Sequence, residues 1–273
     1  MSISINTNIT SLMATRGLQS TTNNLATSMQ RLATGLRINS AKDDAGGLAV
    51  STRLTSQIRG ANQAIQNVNA GAALVDVAMD ALNEVVNTIQ DIRDIAVAAV
   101  SITNVNELTA LNTTVGELKT TINNIFANTK YNNLGLFDGT FNNETFQTGP
   151  NSGDTTTVDI TGTLQTYTTL GMTDTVSSSA NAALLLTAID GTALPAVNTF
   201  LATLSATSSR FEAIANTLSS SVSGMTASRS AIMDADVAVE SANMTKNAII
   251  QQAGVAVLAQ ANLQPQLFLK LFD

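Results

Sequence analysis

The two ends of this 273-residue chain share one pattern, and the segment between them does not follow it. Residues 1–130 and 198–273 are weakly charged, poor in proline and carry apolar residues at helical spacing. The intervening segment is rich in Thr, Asn, Ser and Gly and holds two of the three prolines. Apolar helices at both ends need a partner to cover their apolar faces. The pattern therefore predicts that the ends pair with each other and that the protein assembles with copies of itself.

The N-terminal segment carries one narrow apolar face, because its apolar residues recur at steps of seven, four and three. This face consists of Leu18, Leu25, Met29, Leu32 and Leu36. We expect Gly35 to weaken the helix and Asn39 to end it. Ser40 is predicted to be the N-cap of the next helix, because Asp43 stands at the capping-box spacing behind it.

A long helix is predicted from Ile65 to Val100, where an unbroken three-four apolar repeat would extend for about 54 Å. Arg93 stands where this repeat expects an apolar residue. Two interpretations of Arg93 remain open. Its side chain could extend to the surface and pair with a nearby carboxylate, or it could contact another subunit.

The middle of the chain predicts smaller elements. A helix is expected over residues 107–128, followed by a hairpin turn at Asp138-Gly139. Alternating residues predict short strands at 145–147 and 157–160. A short helix is expected over 180–188, although residues 161–197 are the hardest part of the chain to interpret.

Two helices are predicted in the C-terminal segment. The first begins near Phe200, and the second extends from about Asp234 to Asn262, with Pro265 ending it. The predicted apolar face of this last helix consists of Val239, Ala242, Ile249, Ala253 and Val257. We interpret this face and the N-terminal one as the two sides of an assembly seam.

Composition excludes several functional classes. The chain has no histidine and no cysteine, which removes His-based and thiolate metal sites and the common nucleophilic triads. No metal-binding, catalytic or cofactor-binding residue is therefore predicted. A net charge of −7 and 4% aromatic residues argue against nucleic acid as a partner. No apolar run reaches the length of a membrane span, so membrane insertion is not expected.

Several motifs resemble those of bacterial flagellins. The run Thr34–Ala45 (T-G-L-R-I-N-S-A-K-D-D-A) is the longest of them. Two more follow near the C-terminus: Gln251–Gly254 (Q-Q-A-G) and Val257–Asn262 (V-L-A-Q-A-N). The resemblance covers roughly residues 1–140 and 198–273.

This resemblance implies a mainly α fold: a long antiparallel helical bundle or coiled coil, with paired N- and C-terminal helices and a small insert that contains a β-hairpin. We expect the filament-core helices at 1–40 and 233–273, the rod domain at 41–140 and 198–232, and the variable insert at 141–197.

The function implied by the resemblance is that of a non-enzymatic structural subunit of the flagellar filament used for swimming. Such a protein is secreted, lies in the extracellular flagellum and polymerises with itself. Its further partners would be an export chaperone, the export apparatus, and the hook-associated junction and cap proteins. Two alternatives stay open: a hook–filament junction protein, and a flagellin-like surface protein that binds a ligand. Arg93 belongs to a segment that the family uses for subunit and receptor contacts.

Overall fold

The computed structural model describes residues 7–139, 141, 144–160 and 165–269. Six α-helices dominate the described chain: α1 Ile9–Thr34, α2 Ala45–Val100, α3 Val105–Asn128, α4 Ser179–Ala188, α5 Leu194–Met233 and α6 Val237–Leu269. Two antiparallel strand pairs lie between α3 and α4: β1 Lys130–Tyr131 with β2 Leu134–Gly135, and β3 Glu144–Gln147 with β4 Thr155–Val158. The predicted mainly α fold with a small β insert is confirmed.

Helix α1 has a cap at each end, and it ends earlier than the sequence predicted. The Asn8 side chain caps its start by accepting a hydrogen bond from the Ser11 N–H, at 3.0 Å. Gly35 caps its end with a left-handed φ of 70°. A glycine takes this conformation without the cost that a Cβ would bring, so Gly35 and not Asn39 ends the helix. Leu36 consequently lies outside α1.

Helix α2 joins the helix predicted to begin after Ser40 and the one predicted from Ile65 into a single helix. It begins at Ala45, and its N-cap is Asp44 instead of Ser40. The Asp44 Oδ1 atom accepts a hydrogen bond from the Gly47 N–H at 2.9 Å. Asp43 instead closes the preceding turn, because its Oδ2 atom accepts hydrogen bonds from the N–H groups of Asn39 and Ser40. These bonds lower the pKa of the Asp43 carboxyl, because they stabilise its charged form.

Helices α4 and α5 form one continuous helix from Ser179 to Met233, where the sequence suggested a break. One π-helical turn, Ile189–Ala193, joins them, and the Leu194 N–H bonds to the Ile189 carbonyl five residues back. The wider turn lies immediately before Pro195, which has no N–H to donate. The widened turn thus accommodates a residue that sequence reasoning treats as a helix breaker.

The hairpin turn of β1 and β2 is Asn132-Asn133, with φ values of 49° and 66°. Asparagine tolerates this left-handed region better than most residues, and such a turn matches the twist of paired strands. The predicted turn at Asp138-Gly139 is wrong, since these residues follow β2 and connect no strand pair. The strands expected at 145–147 and 157–160 correspond to β3 and β4.

Helix α6 continues through Pro265 to Leu269, so the prediction that Pro265 ends it is wrong. A proline removes its own N–H from the helix ladder and crowds the carbonyl four residues before it. That carbonyl, of Ala261, accepts a hydrogen bond from the Asn8 side chain instead. The residues on both sides of Pro265, such as Leu263 and Gln266, are good helix formers.

The chain divides into two compact units. The terminal unit contains the residues up to Ser56 and from Gly224 onwards; the central unit is Gln57–Ser223. In the central unit, α2 is antiparallel to the α4–α5 helix, because Ser179, Asp190 and Ser208 bond in that order to Val100, Arg93 and Asp76. Two edge-to-face ring pairs lie in its core, Phe126–Phe137 at 5.4 Å and Phe146–Phe211 at 5.9 Å between centroids. The described terminal unit is different, because its only buried hydrophobic residues are Ile38 and Ala261, and Ala261 keeps 8% exposure.

We predict that Gly71→Val destabilises the central unit by about 1–3 kcal/mol through overpacking. A Cβ atom at Gly71 would lie 2.9 Å from the Phe211 Cζ atom, inside the core. The free energy of unfolding, measured in guanidinium chloride, tests this. Gly116→Ala on α3 is the control: a Cβ there meets nothing within 4 Å, so this change should leave stability equal or slightly higher. A Gly71→Val protein as stable as wild type would contradict the packing described here.

Candidate assembly interface

Helices α1 and α6 pack against each other in antiparallel orientation. At one end, the Asn8 Nδ2 atom donates to the Ala261 carbonyl and the Ser11 hydroxyl donates to the Asn262 Oδ1 atom, both at 2.8 Å. At the other end, the Arg31 guanidinium donates to Glu240 Oε1 at 2.9 Å. These bonds define one register for the pair.

The two helices face each other through stripes that advance by alternating steps of three and four residues, which is the spacing of a coiled-coil seam. On α1 the stripe is Ser11, Ala14, Leu18, Thr21, Leu25, Ser28 and Leu32; on α6 it is Glu240, Met244, Asn247, Gln251, Gly254, Leu258 and Ala261. All fourteen residues are buried or half-buried. Most of them are small or polar, so the seam within the subunit removes little apolar surface from water.

The structure places the predicted N-terminal residues in three settings. Leu18, Leu25 and Leu32 lie on the α1 stripe and face α6. Met29 lies on the flank of α1 and is 52% exposed. Leu36 lies beyond the helix and pairs with Asp234 in an isolated β-bridge.

All five predicted residues of α6 are exposed. The exposed fractions of Val239, Ile249 and Val257 are 54%, 61% and 59%, and Ala242 and Ala253 are exposed as well. This face therefore does not contact α1. Apolarity alone selected these residues, whereas the stripe that contacts α1 contains Glu240, Asn247 and Gln251 and gives no apolar signal. The seven-residue spacing of Met244, Gln251 and Leu258 is the sequence feature that could have indicated the face in contact with α1.

An apolar face on this helix pair consequently points outward. Its members are between 43% and 68% exposed: Ile9, Leu12, Met13 and Met29 on α1, and Val237, Val239, Ile249, Ile250, Val255, Val257 and Leu263 on α6. Charges are scarce here, since Arg16, Arg31, Glu240 and Lys246 are the only charged residues of the two helices. Large exposed apolar surfaces of this kind mark protein–protein contacts. We call this surface the outward face.

The two connections next to the helix pair are bonded to each other. The Arg37 N–H donates to the Met233 carbonyl and the Arg37 guanidinium donates to the Ile232 carbonyl, both at 2.6 Å. The Ala235 N–H donates to the Gly35 carbonyl at 2.9 Å. The segment that follows Gly35 is thereby fixed to the junction of α5 and α6.

The acidic residues of this junction have structural partners. The Asp236 Oδ1 atom caps α6 by accepting from the Ala238 N–H at 2.8 Å. Asp234 accepts from the Ser230 hydroxyl at 2.6 Å, and Glu240 pairs with Arg31. Across the described chain, no cluster of three or more acidic, His or Cys residues could hold a metal ion.

Arg93 forms an ion pair with Asp190 of the π-helical turn. Its Nε atom lies 2.8 Å from Asp190 Oδ1, and a second nitrogen lies 3.3 Å from Oδ2. The pair lowers the pKa of the Asp190 carboxyl, because the guanidinium hydrogen bonds and charge favour the carboxylate. The Arg93 side chain is 41% exposed and the Asp190 side chain 50%. Pairing within the chain leaves Arg93 accessible, so contact with another subunit remains a hypothesis.

Lys119 is a buried residue that sequence reasoning missed. Its ammonium group donates to the Asp174 carbonyl oxygen and lies 5.5 Å from the centre of the Tyr167 ring. Burial lowers the pKa of this amine, because the charged form loses its hydration. Lys119 ties the segment before α4 to α3, and nothing in its helical spacing distinguishes it from a surface lysine.

In the described residues, the Ser179–Met233 helix is long and apolar enough to span a membrane by length and composition. Its buried residues Val197, Leu204 and Phe211 belong to the core of the central unit. Core helices often satisfy this criterion, so it is weak evidence for a membrane.

We predict that Arg93→Gln raises the pKa of Asp190 towards the ordinary carboxyl value of 3.8. Because Arg93 lowers this pKa in the folded state, the pair contributes stability above pH 4, and the contribution is lost as the pH falls through the lowered pKa. Carbon-detected NMR titration of the Asp190 carboxyl measures this directly. Arg59→Gln, elsewhere on α2, should leave the Asp190 titration unchanged. An identical titration in the Arg93→Gln protein would show that the ion pair does not form in solution.

Comparison with known proteins identifies similar sequences across nearly the whole chain. Residues 5–142 match the family model for the bacterial flagellin N-terminal helical region, and residues 186–272 match that for the C-terminal helical region. A flagellin of Halalkalibacterium halodurans is 36% identical over 98% of both chains. The flagellar filament 33 kDa core protein of Treponema phagedenis is 34% identical over 98% of this chain and 99% of that protein.

Other relatives match only in part. Polar flagellin F of Vibrio parahaemolyticus is 40% identical over 59% of this chain, and the match covers 43% of that protein. The crystal structure of Bacillus cereus flagellin shares the fold, with a TM-score of 0.50 and 24% identity over 56% of this chain and 88% of that one.

Proposed function

Since the chain belongs to the bacterial flagellin family, we infer that it is a structural subunit that polymerises into the helical flagellar filament used for swimming. The observation that best supports this function is the outward face of α1 and α6. The terminal unit has almost no hydrophobic core of its own, while its apolar residues are exposed. Other copies of the same chain would cover them.

The outward face is our proposal for the contact between subunits. Val239, Ile249 and Val257 would pack against neighbouring copies, with Ala242 and Ala253 permitting close approach of helices. Leu18, Leu25 and Leu32 would support this contact indirectly, because they hold α1 against α6. Few charges have to be desolvated when such surfaces meet. Helical symmetry would repeat the same contact at every subunit, and many small contributions would add to a stiff polymer.

The domain limits that we propose follow the same logic. Residues 1–40 and 233–273 form the filament-core helices, 41–140 and 198–232 form the rod, and 141–197 form the insert. Residues 1–6, 140, 142–143, 161–164 and 270–273 of these ranges lie outside the described residues.

The partners before and after assembly are also proposals. A free subunit with an exposed apolar helix pair would need an export chaperone to cover it, followed by secretion through the export apparatus to the extracellular flagellum. Hook-associated junction and cap proteins would meet the outward face of subunits at the two ends of the filament. We propose no catalytic activity and no nucleic-acid partner. Full-length relatives named as flagellin and filament core protein favour a filament subunit over a junction protein or a ligand-binding surface protein.

We predict that Ile249→Asp abolishes filament growth and leaves the soluble subunit folded. Ile249 is 61% exposed in the subunit, so the change should alter its free energy of unfolding by less than about 0.5 kcal/mol. In a filament, the carboxylate would be buried among apolar side chains at a cost of several kcal/mol at each contact. Sedimentation and electron microscopy after seeding with filament fragments measure growth.

Gln252→Asp is the matched control, because Gln252 is exposed, polar and less than one turn away on the same helix. This variant should polymerise at close to the wild-type rate. Filaments of normal length from Ile249→Asp would refute the proposed contact, and failure of both variants would point to a general intolerance of charge on α6.

A further inference from the structure

The stripe that joins α1 to α6 contains a repeat that does not by itself define one register. Leu18, Leu25 and Leu32 are spaced by seven residues. Leu18 lies opposite Gly254, where a Cβ atom would come within 3.4 Å of the leucine Cδ1 atom. Leu25 then lies opposite Asn247 and Leu32 opposite Glu240, because each step of seven along α1 matches a step of seven along α6.

A slide of seven residues, about 10.5 Å along the helix axis, would preserve most of this packing. Leu25 would then lie opposite Gly254, and Leu32 opposite Asn247. The leucines would meet small or polar positions as before. Hydrophobic packing along the stripe therefore discriminates poorly between the two registers.

A slide would break the hydrogen bonds of Asn8 and Ser11 to the end of α6, but the Arg31–Glu240 pair is the charged contact that it cannot preserve. Glu240 is 7% exposed, and the Arg31 Nη1 atom donates to its Oε1 atom at 2.9 Å. Arg31 lies in the last turn of α1 and Glu240 in the first turn of α6, so each charge also suits its helix dipole. After a slide of seven residues in one direction, Asn24 would take the place of Arg31. In the other direction no residue of α1 would, because the helix ends at Thr34. The buried carboxylate would then have no cation beside it.

We propose that Arg31 and Glu240 are the register-determining residues of the α1–α6 pair. The Glu240 side chain is 9% exposed and the Arg31 side chain 30%. Such a partly buried ion pair adds little net stability, because desolvation offsets much of the attraction, but a register that leaves the buried Glu240 carboxylate without its cation is disfavoured. The pair acts as a buried polar residue does in a coiled coil, where it selects one register at some cost in stability. A fixed register keeps Ile249 and Val257 of α6 at one axial position relative to the exposed apolar residues of α1. Every copy therefore presents the same outward face. This last step rests on the proposed function; the register assignment does not.

The absence of cysteine from the chain permits a direct test by disulfide formation. The Gln251 Nε2 atom lies 3.2 Å from the Thr22 hydroxyl, so Thr22→Cys with Gln251→Cys reports the observed register. Met29→Cys and Thr15→Cys, each combined with Gln251→Cys, report slides of seven residues in either direction. Positions 15, 22 and 29 are all exposed. Intramolecular products are separated from intermolecular ones by gel mobility.

The reporters are compared in the wild-type background, in Arg31→Lys, and in the double variant Arg31→Met with Glu240→Leu, which removes both charges and keeps apolar bulk. Wild type and Arg31→Lys should yield the 22–251 product alone. In the double variant, the ratio of slid to observed-register product should rise by at least about tenfold. For a variant that forms filaments, the product ratio is measured on filaments and compared with that of wild-type filaments. For a variant that does not, it is measured on the soluble chain and compared with that of soluble wild type.

Two results would overturn the proposal. The 22–251 product alone, at wild-type yield, would show that the bonded connections near Arg37 set the register without the ion pair. An equal loss of all three products would show that the pair is a general stabiliser. Filament formation is scored separately by sedimentation, so failure of the register assignment is distinguishable from failure of the proposed function.

Discussion

The contact between α1 and α6 is the interaction on which the rest of this structure depends, and most of the residues in it are small or polar. Small and polar residues such as Ser28, Asn247 and Gly254 face the partner helix, while Ile249 and Val257 face solvent. In an ordinary helix pair the apolar residues would lie between the helices. Because most of the large apolar residues of α6 are exposed, the terminal unit has little stability of its own and an apolar surface that other copies can cover.

The central unit has the buried apolar core that the terminal unit lacks. Its core contains Leu82, Ile89, Ile122 and Phe211, all fully buried, and close approaches at Gly60 and Gly71 bring Pro150 and Phe211 against α2. Stability in proteins is distributed unevenly, and regions with few buried apolar contacts open most easily. We therefore expect the central unit to fold independently of neighbouring copies and the folding of the terminal unit to be completed by assembly.

Periodic apolar repeats made most of the helices predictable, including the end of α2 at Val100 and of α3 at Asn128. Local rules failed where tertiary contacts overrode them. The π-helical turn before Pro195 and the passage of α6 through Pro265 both contradict the reading of proline as a stop. The leucines of the α1 stripe were found because they are large and regularly spaced. The α6 stripe was not, because Glu240, Asn247 and Gln251 look like solvent-facing residues until Arg31 and Thr22 are placed opposite them. The sequence of one helix does not show which of its faces contacts the same chain and which contacts another copy. Only the packing of the two helices together determines this.

Hydrogen–deuterium exchange on the soluble subunit and on assembled filaments tests the central claim most directly. In the subunit, amides of Leu18–Leu32 and Met244–Leu258 should exchange within seconds to minutes, while those of Leu82–Ile92 stay protected. In filaments, both terminal segments should become at least about a hundredfold slower, because opening them would expose the outward face to water. Strong protection of α1 and α6 in the subunit, unchanged on assembly, would contradict the claim that neighbouring copies complete the fold of the terminal unit.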